Sequence, residues 1–266
     1  MDRSRLFIFA CVAFVFTIIS SSNIPVVIAE SKTGSSVAFA ELSPTVAESF
    51  KLADDAKFTG NSLQLTEARN SLQGIGLLKA PQTLSATRSF SSHFSMQMTD
   101  PVCHTGLGAD GLSFVIQGSL NTKRAIGWGL GYAGTEMSIA VEFDTYVNRE
   151  FEDPNAQHIG LSLHGDPSSY ATVQSPYTLN DGQVYYVWIE YDGAAKFLEV
   201  RISDNTTRPE VALMRTQVDL TGVLDNKVFV GFSAATGSCN EQHDIKSFYF
   251  ENSFLKDGIK VSPKSK

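Results

Sequence analysis

The chain is poor in charge. Of its 266 residues only 18% are Asp, Glu, Lys or Arg, and 21 basic residues face 28 acidic ones. A net charge of -7 offers no basic surface, which argues against nucleic acid and anionic membranes as partners. Cysteine is scarce, with three residues, and none form a Cys-x-x-Cys pair. No phosphate loop with lysine, redox-cofactor motif or nucleophile elbow is present, so those catalytic classes lose their sequence support. Helix-period stretches are also rare; one weak piece runs from Thr45 to Asp54. The longest apolar run, Leu6 to Ile19, has 14 residues, short of the roughly 20 that a membrane-spanning helix needs. No repeat and no long linker divides the chain.

That short run reads instead as the core of a secretory signal peptide over residues 1–29. Arg3 and Arg5 precede it, and Val27-Ile28-Ala29 ends it with small residues suited to cleavage. The mature chain is then expected to be secreted or to lie in the secretory-pathway lumen, with no membrane insertion and a net charge of -8. Cys11 leaves with the leader. Cys103 and Cys239 remain, an even pair in an oxidising compartment, and are expected to form a disulfide. Asn205-Thr206-Thr207 is a glycosylation sequon placed where a hairpin turn would expose Asn205. Residues 255–266 read as a polar tail.

What is abundant is apolar and aromatic: 42% hydrophobic residues, with 18 Phe and 8 Tyr, types that favour half-buried pleated surfaces. Strands are expected at Ser62–Thr66, Phe90–Met98, Gly111–Gln117, Ile139–Tyr146, Val228–Phe232 and Ile245–Phe250. Val184–Tyr191 and Lys196–Ile202 flank Asp192-Gly193, a hairpin signal. Many short strands separated by turns imply an all-β, two-sheet sandwich.

The densest chemistry lies in IAVEFDTYVNREFEDPNAQHIGLSLH, residues 139–164. Glu142, Asp144, Asn148, Asp153 and His158 fall within 17 residues there. Strand alternation puts Val141 and Phe143 on one face and Glu142, Asp144 and Tyr146 on the other. Two adjacent carboxylates repel and raise each other's pKa, a conflict that a divalent cation removes. Carboxylates with one imidazole suit a transition ion such as manganese, and an all-oxygen neighbour suits calcium. The bland alternative, an acidic loop beside a surface strand, leaves Asn148 and His158 unexplained.

This segment resembles the metal site of the legume-type (L-type) lectins, from Glu142 through Asp144, Tyr146, Asn148 and Asp153 to His158. Ala109-Asp110-Gly111 followed by LSFVI, the glycine-rich IGWGLGYAG at 126–134, and VGFSAATG at 230–237 resemble further segments of that family in the same order. Glu241-Gln242-His243 and the terminal Ile245 to Phe250 continue the match, which covers about 40–254 within a domain of 30–254. The resemblance implies a jelly-roll (concanavalin-like) sandwich and a noncatalytic carbohydrate-binding function. It implies that Asp110, after a cis peptide from Ala109, accepts bonds from sugar hydroxyls while Asn148 donates one. It gives the Tyr146 ring to the sugar's apolar face and a backbone N–H to the glycine loop, from Gly127, Gly129 or Gly131. It assigns Glu142, Asp144, Asp153 and His158 to Mn2+ or another transition metal. Asp144, Asn148, Asp153 and the Tyr146 carbonyl go to Ca2+. Partners would be glycans or glycoproteins, with a homodimer as the favoured assembly.

Trp128 interrupts the glycine string and reads equally as a core or rim aromatic or as a residue that widens the platform for a longer glycan. His104, His164 and His243 read as surface or core histidines. The rival functions are a glycoside hydrolase on a similar sandwich and a lectin-like module that has lost sugar binding. Glu142 and Asp144 begin a Glu-x-Asp-x-x-Glu pattern of a hydrolase strand, but its third place is Val147.

Overall fold

The computed structural model describes residues 29–31, 34–104 and 106–254. The expected leader, apart from Ala29, and the expected tail therefore lie outside the described residues. Strands dominate. In chain order they are β1 (Ala29–Ser31), β2 (Gly34–Phe39), β3 (Phe50–Asp54), β4 (Lys57–Thr59), β5 (Ser62–Thr66) and β6 (Gln73–Leu78). Then come β7 (Gln82–Thr83), β8 (Phe90–Val102), β9 (Gly111–Gln117), β10 (Ser138–Asp144), β11 (His158–Leu163) and β12 (Ala171–Gln174). The last are β13 (Val184–Asp192), β14 (Phe197–Ser203), β15 (Met214–Gln217), β16 (Lys227–Ala235) and β17 (Asn240–Glu251).

These strands make two antiparallel sheets. The back sheet runs β1-β2-β17-β8-β13-β14-β15, with β4 and β5 joined to β17 through β5. The front sheet runs β12-β11-β10-β9-β16-β6-β3, with β7 on β16. Phenylalanines from both sheets fill the space between them. Phe232 of β16 meets Phe94 of β8 and Phe248 of β17, each at 4.9 Å between ring centroids. Phe114 and Phe143 extend the same layer. Each such side chain, removed from water, contributes roughly 1.5–3 kcal/mol.

The front sheet is covered on its other face as well. Leu130 and Tyr132, from the glycine-rich segment, pack on Ile75, Leu77, Val115 and Ala140. Strand β9 is consequently buried at every position, which explains why GLSFVIQ reads as a continuous apolar run rather than an alternation.

The weak helical piece at Thr45–Asp54 is corrected. Pro44–Ser49 is a 3-10 helix, and the chain then enters β3, where Phe50 pairs with Leu78 and Leu52 with Gly76. Strand β6 escaped the sequence reading because QGIGLL carries two glycines, which strands disfavour. Here close approach requires one of them: a Cβ on Gly74 would lie 1.8 Å from the Leu65 carbonyl oxygen. The hairpin forms as expected, with its turn at Gly193–Lys196. Asp192 ends β13 and its Oδ1 accepts from the Ala194 and Ala195 N–H groups at 3.0 and 3.1 Å. No helix among the described residues is long and apolar enough to cross a membrane.

Candidate functional site

Three front-sheet strands place the site. Gly111 at the start of β9 pairs with Asp144 at the end of β10 and with Ala235 at the end of β16. The segments next to these ends, 106–110, 145–157 and 236–239, therefore meet at one edge of the sandwich. Gly111 has to be glycine. Its φ is +129°, and a Cβ would lie 2.3 Å from the Phe143 carbonyl oxygen.

The Ala109–Asp110 peptide is cis. Both sides of the Asp110 backbone are tied down: its N–H donates to the Ala235 carbonyl at 3.2 Å, and its carbonyl accepts from Thr145 N–H at 3.0 Å. The side chain is 6% exposed, and its Oδ2 is buried without a partner among the described residues. Burial, reinforced by the charge of Glu241 and partly offset by the Gly237 N–H, raises its pKa to about 7. This carboxyl opens onto a cavity of about 190 Å3. Tyr146, Asn148, Gly127, Trp128, Gly237, Ser238 and Cys239 line it.

Beside the cavity, Asp144, Asp153 and His158 bring oxygen and nitrogen atoms together, all within 4.8 Å of one another. His158 is wholly buried. Its Nδ1 hydrogen-bonds the Asn155 carbonyl at 2.8 Å, while Nε2 has no hydrogen-bond partner among the described residues and lies 3.6 Å from Asp153 Oδ1. Nδ1 is thus committed to the carbonyl, and Nε2 is the ring nitrogen left for the two carboxylates. Burial, then the Glu142 charge, raises the Asp144 pKa well above its ordinary value; burial also raises Asp153. The loop backbone turns inward around these groups: Tyr146 N–H donates to Asp144 Oδ1 at 2.7 Å and Asn148 N–H to Asp153 Oδ2 at 2.6 Å. An orphaned imidazole nitrogen among buried, mutually repelling carboxylates fits a divalent cation.

Glu142 stands one pleat away, and its carboxylate is bonded to Tyr132 Oη at 2.8 Å and to Ser169 Oγ. It lies outside the group of three. The glycine loop also differs in detail from the expected donors. Gly127 N–H donates to Thr236 O, Gly129 N–H to Ile126 O and Gly131 N–H to Ala125 O. Leu130 and Tyr132 N–H are used in the same way, whereas Trp128 N–H makes no hydrogen bond among the described residues.

A legume lectin domain model matches residues 34–266. The chain belongs to the legume lectin family. The L-type lectin-domain containing receptor kinase VIII.1 of Arabidopsis thaliana is 33% identical over 231 residues, covering 80% of this chain and 32% of that protein. The chain thus spans about a third of the length of that receptor kinase. The basic agglutinin of Psophocarpus tetragonolobus is 35% identical over 233 residues, 77% of this chain and 91% of that one. Among solved structures, basic winged bean lectin with Tn-antigen superposes with a TM-score of 0.69 at 32% identity, covering 81% of this chain and 97% of that one.

A legume lectin domain is a noncatalytic carbohydrate-binding fold, and the hydrolase alternative falls with that assignment. The chemistry agrees. Glu241, the buried carboxylate nearest in charge to Asp110, is saturated. Its Oε1 accepts from Thr145 Oγ1 at 2.5 Å and hydrogen-bonds His243 Nε2 at 3.1 Å; its Oε2 accepts from Asn180 Nδ2 at 2.7 Å. It ties three segments together beneath the lectin pocket and has no free oxygen for proton transfer. Sequence reading quoted Glu241 but gave it no role, and missed Asn180, which carries no local signal. Cys103 and Cys239 form the disulfide, Cα to Cα 4.6 Å, and Cys239 lines the cavity. Asn205 is exposed in a bend.

Proposed function

We propose that this lectin domain binds a terminal sugar of a glycan or glycoprotein, in a metal-dependent and noncatalytic way. Asp110 accepts hydrogen bonds from sugar hydroxyls, Asn148 donates one, and Tyr146 offers its ring to the apolar face of the sugar. The loop amide that completes the set is that of Trp128, because Gly127, Gly129 and Gly131 spend theirs inside the chain. Asp144, Asp153, His158 and Glu142 hold a transition ion such as Mn2+; Asp144, Asn148, Asp153 and the Tyr146 carbonyl hold Ca2+. The cations neutralise the buried carboxylates and keep the 145–157 loop in its binding shape.

The observation that carries this reading is the Asp110 carboxyl: buried, without a partner on Oδ2, and facing a cavity shared with Asn148 and Tyr146. A buried acceptor left unsatisfied is costly, and a ligand hydroxyl satisfies it. The disulfide supports a secretory-pathway setting, in keeping with a leader at 1–29 and with glycosylation at exposed Asn205. A glycan array probed with Ca2+ and Mn2+, and again after EDTA, tests the function. Binding to a defined sugar class that disappears with EDTA is expected. Binding that persists in EDTA overturns the metal requirement, and silence of the folded, metal-loaded protein overturns sugar binding.

A further inference from the structure

The cavity over Asp110, at about 190 Å3, is smaller than the roughly 300–1,000 Å3 of pockets that enclose a drug-sized ligand. It is sized for a single ring. The remainder of any longer glycan has to leave across the residues around the cavity. Gly237, Ser238 and Cys239 of the disulfide line it, and so does Trp128. Trp128 is 46% exposed, and Ile126, close to it in sequence, 36%. The indole belongs to neither buried core cluster. It nonetheless has a ring neighbour: its centroid lies 5.0 Å from that of Phe151, tilted 53°, so the indole packs on the 145–157 loop. A large aromatic ring that lines the cavity and stays nearly half exposed is an unfilled contact surface.

We propose that the Trp128 indole is a second subsite, on which the second sugar ring of a di- or oligosaccharide stacks while Asp110 and Asn148 hold the first. The inference rests on the reading of Asp110 and Asn148 as the primary sugar site. A pyranose ring carries hydroxyls around its edge and C–H groups on its faces. An aromatic plane takes up such a face with little loss of side-chain freedom. The backbone amide of Trp128 and its side chain then serve different rings, so the two contributions are separable by mutation.

The chain has two tryptophans, and Trp188 on β13 is completely buried, so ligand-induced change in indole emission reports on Trp128. The Ca2+- and Mn2+-loaded protein is titrated with its best monosaccharide and with disaccharides that end in the same sugar. The disaccharide of suitable linkage is expected to bind about threefold to tenfold more tightly and to shift the emission, a range set by typical aromatic stacking contacts. Trp128→Ala should remove that gain, so that the monosaccharide-to-disaccharide Kd ratio falls to about one, while Trp128→Phe should retain part of it. Equal loss for both ligands in a folded Trp128→Ala protein would place the indole in the primary site and overturn the proposal. So would equal affinity for mono- and disaccharides throughout the panel with emission unmoved. If the wild-type protein binds no sugar at all, the primary-site reading fails and this one with it; monosaccharide binding without a gain fails this one alone.

Discussion

Replacing Asp110 with asparagine should stabilise the metal-free protein while abolishing its sugar binding. The carboxyl is 6% exposed and titrates near 7 instead of 3.8 because it is desolvated and faces the negative charge of Glu241. Asp144 belongs to the same unfavourable field, since Asp110 raises its pKa in turn. A shift of about three pKa units corresponds to about 4 kcal/mol, at about 1.36 kcal/mol per unit. The sign follows from proton uptake. The unfolded chain releases the Asp110 proton near pH 4, whereas the folded chain keeps it to about pH 7. Between those values the folded state binds more protons, so stability falls as pH rises through the window and the full penalty is present above it. Asparagine has nearly the same shape and carries no charge. Urea unfolding in EDTA should therefore find Asp110→Asn more stable by up to about 4 kcal/mol at pH 8.5 and by only roughly 1.5 kcal/mol at pH 5. The metal-loaded variant should fail on the glycan array, having lost the anionic acceptor. A variant that is no more stable than wild type at pH 8.5, or whose gain is the same at both pH values, would refute the electrostatic argument.

His158→Ala should lose the transition ion, because it removes the one imidazole in the cluster with Asp144 and Asp153; full metal occupancy by elemental analysis would sink that ligand assignment. Replacing Cys103 and Cys239 together with serine should lower stability by about 2–4 kcal/mol, since the bridge closes a long loop of sequence separation 136. It should also weaken sugar binding, because Cys239 lines the cavity; an unchanged urea midpoint and an unchanged sugar Kd would contradict both halves.

Much of the fold was legible locally. Ser62–Thr66 and Gly111–Gln117 are strands at the expected residues, and the Asp192-Gly193 signal marks a real hairpin. Other strands were silent. The glycines of β6 and the tertiary pairing of β3 hide a strand pattern that only packing against β5 and β6 makes stable. At the site, the spacing from Glu142 to His158 pointed to a loop whose Asp144, Asp153 and His158 do come within reach of one another, because these ligand-type residues are close in sequence. Which of them converge was not readable. Glu142 bonds Tyr132 and Ser169, one pleat from where Asp144, Asp153 and His158 come within reach of one another.

The sequence by itself determined what depends on short-range pattern. It set the all-β class, the order of the family segments, the ligand-type side chains of the 142–158 segment and the cysteines that pair. Only the tertiary structure decided what depends on distant residues meeting. Thr236 accepts from the Gly127 amide, so the glycine loop keeps its obvious donors for itself and leaves Trp128 with the free one. Glu241 is brought by β17 beneath the Asp110 loop, where Thr145, Asn180 and His243 saturate it and its charge perturbs Asp110. Side-chain type is a local property of the chain. Burial and electrostatic field are sums over neighbours, and the neighbours that matter here lie up to 131 residues away, from Asp110 to Glu241.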